Sequence, residues 1–133
     1  MLSVIVVLFN MQREAPRTLY SLSSLYQAGV CEKDYEVIVI DNGSSQPMLA
    51  QQVMSFGSNF QYIVHGDTAA LSPCRAINDA VALAKGDYVG VMIDGARIAS
   101  PGLIRHALDA LRLYDKGIVA TLAWHLGPKP QSL

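Results

Sequence analysis

Five short apolar runs punctuate the chain, at residues 3–9, 35–40, 60–64, 88–93 and 118–124. Each is bounded by polar residues, glycine or proline, as expected of strands buried on both faces of a parallel sheet. The stretches between them carry helical spacing. Pro16 suits the first turn of a helix predicted to run through Gln27, with Leu19, Leu22 and Tyr26 as its buried stripe. Pro47 opens a second helix whose apolar side is Leu49, Val53 and Phe56. Ser72-Pro73 and Ser100-Pro101 each pair a capping hydroxyl with a proline, a repeated start signal. The helices they open present Ile77, Val81 and Ala84, and then Ile104, Ala107, Leu108 and Leu111. Strands alternating with helices imply right-handed βαβ units. The expected fold is α/β, a three-layer and mostly parallel sheet with helices on both faces. Strand one is expected at its centre, between the strands that end at Asp41 and Asp94. Residues 1–126 read as one folded unit and residues 127–133, which have no periodicity, as a loose tail.

Composition narrows the partners. A chain of 133 residues has room for one domain with a real core. A net charge of -1, with 16% charged residues, gives no electrostatic reason to expect nucleic acid or an anionic membrane. No stretch approaches the 18 or so apolar residues of a membrane span. The first apolar run lacks the basic flank and cleavage site of a signal peptide, so it reads as a strand. Cys31 and Cys74 show neither metal spacing nor a disulfide pattern, and as ordinary reduced thiols they favour the cytoplasm. Hydrophobic residues make up 51% of the chain. That share fits strands covered on both faces and, beyond them, an apolar patch closed by self-association, so a homo-oligomer is expected.

The candidate chemistry lies where the strands stop. In parallel α/β sheets, ligands bind outside the carboxyl ends of the strands. Strand one closes on Asn10, and strand two on Asp41-Asn42-Gly43-Ser44-Ser45. A carboxylate at a strand tip can accept hydrogen bonds from a base or a ribose; the alternative is that Asp41 caps a turn with Asn42 and Gly43. Arg75 falls near the amino end of a helix, where the dipole favours anions, and makes sense there facing a phosphate. Asn78 follows one turn on. Asp94 ends the fourth apolar run and is the candidate for ribose or metal contact, but no second acid follows it. His65, His106 and His125 do not cluster at ligand spacing. The chain has no glycine-rich dinucleotide fingerprint, no P-loop and no Gly-x-Ser-x-Gly elbow, which argues against dehydrogenases, P-loop enzymes and α/β-hydrolases.

Taken in order, Ser3 to Asn10, Leu22-Ser-Ser-Leu-Tyr-Gln27, Glu36 to Ser45, and Asn78 to Gly86 followed by Asp87-Tyr88 and the strand to Asp94 resemble the inverting family 2 glycosyltransferases of GT-A fold. Pro101 falls where that family commonly places a proline. The resemblance implies a domain that binds a nucleotide-diphospho-sugar donor, usually UDP-linked, for transfer to an acceptor hydroxyl. It implies that Asp41 and the adjacent Asn42 meet the base, that Asn10 and the strand end before it at Leu8 line the base pocket, and that Arg75 and Asn78 belong to the same site. It also implies Asp94 beside the ribose and a divalent cation, Mg²⁺ or Mn²⁺, on the diphosphate. Three departures stand against it. Val7-Leu-Phe-Asn10 replaces the usual Pro-Thr-Tyr-Asn, and Ile77 replaces the arginine expected directly before Asn78. The Asp-x-Asp pair becomes Asp94-Gly95-Ala96, removing one metal ligand. Family members are also about twice as long, with an acceptor-binding half that supplies the catalytic base. The resemblance therefore implies an incomplete or inactive transferase domain, and the alternative is a non-catalytic α/β module that keeps the scaffold alone.

Overall fold

The computed structural model describes residues 1–66, 71–93, 95–114 and 116–122. The elements run β1 (Leu2–Leu8), α1 (Ala15–Ser21), β2 (Tyr35–Asp41), α2 (Ala50–Met54), β3 (Phe60–Val64), α3 (Cys74–Leu83), β4 (Tyr88–Met92) and α4 (Leu103–Leu111). The four strands form one parallel sheet in the order β3-β2-β1-β4. As expected, β1 lies inside the sheet, between β2 and β4.

Alternation along each strand sends successive side chains to opposite faces and so divides the core in two. On one face Leu2, Val4, Val6 and Leu8 of β1 and Val37 and Val39 of β2 pack against Leu19 and Leu22, Val53 of α2, and Ile104 and Leu108 of α4. On the other, Ile5, Val7, Ile38 and Ile40 meet Ala76 and Ala80 of α3. Helices on both faces give the three layers the sequence predicts. β1 and β2 are buried throughout, which is why they read as unbroken apolar runs.

Four local expectations are corrected. The first helix stops at Ser21 instead of Gln27. Its last carbonyls are taken by side chains: Ser21 Oγ donates to Thr18 O, Ser23 Oγ to Tyr20 O, and Gln27 Nε2 to Ser21 O, each at 2.7 Å. Such bonds compete with continued helix. The second helix begins only after Leu49, which is extended and exposed, and Met48 takes the buried place. On α3 the small Ala76 and Ala80 let the helix approach the sheet closely, with Ile77 and Ala84 at the rim and Val81 turned to solvent. Finally, residues 118–122 form no strand, and Ile118, Val119 and Leu122 are exposed. A β-branched run is stable as a strand only when a sheet edge receives it. Residues 123 and 124, and the predicted tail, lie outside the described residues.

At the amino end of the sheet a buried polar network closes the fold. Glu36 Oε1 accepts from Ser3 Oγ and from the Lys85 N–H, both at 2.6 Å, and Oε2 accepts from Gln61 Nε2 at 2.9 Å. The Gly86 N–H donates to Ser3 Oγ at 2.8 Å. These bonds tie three strands and the entry to β4 at the end opposite the candidate site.

Candidate functional site

All four strands are parallel, so their carboxyl ends share one edge, and the polar residues after β1 and β2 meet there. Asn10 adopts a left-handed backbone (φ 53°), a conformation asparagine tolerates better than most residues. Its N–H donates to Ser44 Oγ at 2.8 Å, and its Oδ1 accepts from the Ser45 N–H at 2.9 Å and the Ser45 hydroxyl at 3.1 Å. Asn10 thus clamps the loop that leaves β2. Asp41 holds that loop from inside: its Oδ1 accepts the N–H groups of Gly43 at 3.1 Å and Ser44 at 2.7 Å. Both bonds fall on Oδ1, so the turn uses one carboxylate oxygen and leaves Oδ2 outside it. Asp41 is therefore a turn former, as one reading of the sequence holds, with acceptor capacity to spare. The Asn42 N–H donates to Leu8 O at 2.8 Å, and the side chains of both Asn42 and Leu8 are buried. Leu8 brings its carbonyl to this edge while its side chain belongs to the core.

The end of β3 adds a residue that sequence reading passed over. The His65 N–H donates to Asp41 O at 3.0 Å, which seats the imidazole beside the ledge. Its side chain is 9% exposed, with Nε2 3.2 Å from Asp79 Oδ2. The same carboxylate oxygen lies 3.9 Å from Arg75 Nε, one helical turn earlier on α3. Asn78 is exposed on that helix face. His65 directly follows an apolar strand, the same signal that singled out Asn10 and Asp41, and so was open to detection. Asp79 had none. Tyr62, on the same sheet face as Asp41, has its hydroxyl pushed up to about 12, by burial first and by the Asp41 carboxylate second. It stays neutral beside that acid.

Asp94 lies outside the described residues, and the chain after it is held by hydrogen bonds. Gly95 is buried; its carbonyl accepts from Thr18 Oγ1 at 2.5 Å, and a Cβ there would overlap Leu8 Cδ2. The Ala99 N–H donates to Ser21 Oγ at 2.9 Å, and Gln27 bridges Ser100 O and the Ile104 N–H at 3.0 and 3.1 Å. α1 thereby fixes the segment following β4 against the end of β1. For a metal the donor set is thin. Gly95 and Ala96 offer no side-chain oxygen, and among the described residues no three of His, Cys, Asp or Glu gather as ligands. Mg²⁺ and Mn²⁺ are held by carboxylate oxygens, and the described residues do not fit such a centre.

The edge thus combines an acid with a spare oxygen, two clamped turns and a cationic helix start. The model of the family described as glycosyl transferase family 2 matches residues 3–125. The chain belongs to glycosyl transferase family 2. Among solved structures, this family 2 chain is similar to TarS of S. aureus. The TarS 1-349 structure has a TM-score of 0.70 at 24% identity, covering 84% of this chain and 32% of that one. The complex of TarS 1-349 with UDP-GlcNAc gives 0.70 at 22%, covering 84% and 31%, and the complex with UDP gives 0.72 at 24%, covering 84% and 32%. These likenesses show a shared fold, GT-A, as the sequence resemblance implies. The chain spans about a third of the length of these structures. No curated protein matches it. Among the described residues no helix is long and apolar enough to cross a membrane.

Proposed function

We propose that this family 2 domain binds a UDP-linked sugar donor at the carboxyl edge of its sheet, for inverting transfer to an acceptor hydroxyl. The observation that carries the reading is the ledge in which Asn10 and Asp41 are joined through Ser44, with Asp41 Oδ2 outside the turn. A carboxylate oxygen at a strand tip complements a ring N–H such as that of uracil. Arg75, Asn78 and Asp94 are proposed for the phosphate and ribose end. In the reaction the acceptor oxygen bonds to the anomeric carbon as the bond to the nucleoside diphosphate breaks, and the hydroxyl proton passes to a general base. This chain's part is to hold and orient the donor. No step is routed through a cation, because Asp94 stands without the second acid of a pair.

Two further proposals rest on the surface. Val89, Val91 and Ile93 are exposed on and just beyond the edge strand β4, and α3 covers the sheet beside them. Self-association through this stripe is proposed, and light scattering at tens of micromolar is expected to give a dimer mass; a monomer mass would refute it. Cys31 and Cys74 are free and exposed, which suits a reducing, cytoplasmic compartment. A second reading, a scaffold that has lost its ligand, is favoured by Ala96 at the place of an acid. Titration calorimetry with UDP separates the two: saturable heat at up to millimolar ligand supports donor binding, and none supports the scaffold.

A further inference from the structure

We propose that Asp79 is a positioning residue for the phosphate end of the donor, holding the His65 imidazole and the Arg75 guanidinium on one carboxylate oxygen beside Asp41. The inference rests on the nucleotide reading above. An exposed Arg–Asp pair one helical turn apart is ordinarily worth little and calls for no role. Here a third group, from a different element, converges on the same oxygen. His65 leaves β3, its backbone is fixed on Asp41, and its nearly buried imidazole reaches Asp79 Oδ2 at 3.2 Å. Arg75 turns Nε toward that oxygen at 3.9 Å, and its side chain is 60% exposed. The guanidinium is a planar fork of five N–H groups, so a carboxylate at the Nε side bears on the plane in which that fork lies. The cluster stands at the start of α3, which enters the fold at the same edge as the carboxyl ends of the strands. An acid set among the groups that meet a phosphate weakens an anion site if it acts by charge alone. It strengthens the site if it fixes where Arg75 and His65 stand. The geometry, an imidazole and a guanidinium from two different elements on one oxygen, points to the second.

The two roles predict opposite signs, which makes the test direct. Asp79→Asn keeps the shape and removes the charge, and Asp79→Glu restores the charge. UDP, uridine and inorganic pyrophosphate are titrated into wild type and both variants, followed by amide NMR at millimolar ligand. The positioning role predicts that Asp79→Asn weakens UDP and pyrophosphate at least about fivefold, that uridine changes less than about twofold, and that Asp79→Glu recovers part of the loss. Unchanged urea midpoints in both variants keep folding out of the comparison. Unchanged or tighter UDP and pyrophosphate binding by Asp79→Asn overturns the proposal, as does an equal loss for uridine. Wild type that binds pyrophosphate in an Asp79-dependent way but not UDP retains the cluster as an anion site and refutes the nucleotide reading. Wild type that binds neither overturns both.

Discussion

Gly86→Ala is expected to be among the most damaging single-methyl changes in this chain, although Gly86 lies far from the candidate site. A Cβ at Gly86 would stand 2.7 Å from Met1 O, Ser3 N and Ser3 Oγ. Two of these atoms are main chain, in β1 and at the residue just before it, and cannot rotate away. The loop must retreat, and retreat stretches the 2.8 Å bond from the Gly86 N–H to Ser3 Oγ and disturbs the neighbouring Lys85 N–H on Glu36. Overpacking costs about 1–3 kcal/mol. Weakening a hydrogen bond to a buried charged group adds about 1.5–3 kcal/mol. The reduced entropy of the unfolded chain returns about 0.4–1 kcal/mol. The net loss is about 3 kcal/mol, a large share of the roughly 5–15 kcal/mol that stabilises a typical domain. With a urea slope of about 1–3 kcal/mol/M, the midpoint should fall by roughly 1–3 M. Gly90→Ala, on β4, is the control. Its added Cβ meets only Leu2 Cδ1 at 3.9 Å, an ordinary contact, so its midpoint should hold or rise. Urea unfolding followed by circular dichroism measures both. A Gly86→Ala midpoint equal to that of wild type, or a Gly90→Ala loss of the same size, would refute the close-approach argument.

Thr18→Val removes the hydroxyl that holds Gly95 O, and about 1–3 kcal/mol of stability should go with it. Hydrogen exchange should quicken at Ala99 and Ile104, whose amides are held by Ser21 and Gln27 of the adjoining segment, and unchanged protection there would count against the pinning of this segment. Tyr62 should ionise near pH 12, after the exposed tyrosines, in a titration followed at 295 nm. Its folded value is raised above the ordinary 10.0, so its contribution is complete below pH 10 and lost as pH rises toward 12; stability that is flat across that window would contradict its burial, and with it its place beside Asp41. On the acid side, the Ser58 hydroxyl holds Glu32 below its ordinary 4.5, and the Cys31 N–H and Arg105 hold Asp34 and Asp109 below 3.8. Their contributions are present above those values and disappear as pH falls through the lower, folded ones, so these three contacts should be lost on acid titration below about pH 4.5.

The parts of the fold legible in the sequence were those set by continuous burial. β1 and β2 announce themselves because both of their faces are covered, and the order of elements follows from strand and helix alternation. What escaped was decided by partners remote in sequence. The end of α1 depends on Ser21, Ser23 and Gln27 bonding backbone carbonyls, and no periodicity encodes that. Residues 118–122 have the composition of a strand but pair with no strand of the sheet. At the site, Asn10 and Asp41 were legible as polar residues closing apolar runs, and they do meet. His65 carries the same signal, a polar residue directly after an apolar run, but has no second histidine at ligand spacing to mark it. Asp79 became visible only when α3 was laid against the end of β3.

Nucleotide binding is proposed at the carboxyl edge of this sheet. Titration of ¹⁵N-labelled protein with UDP tests it residue by residue. Binding at this edge should give saturable shifts at Asn10, Asn42 to Ser45, His65 and the start of α3, with Lys85 and Gly86 at the opposite end unmoved, and the response lost in Asp41→Ala. Shifts confined to the amino end of the strands, or none at millimolar UDP, would contradict it.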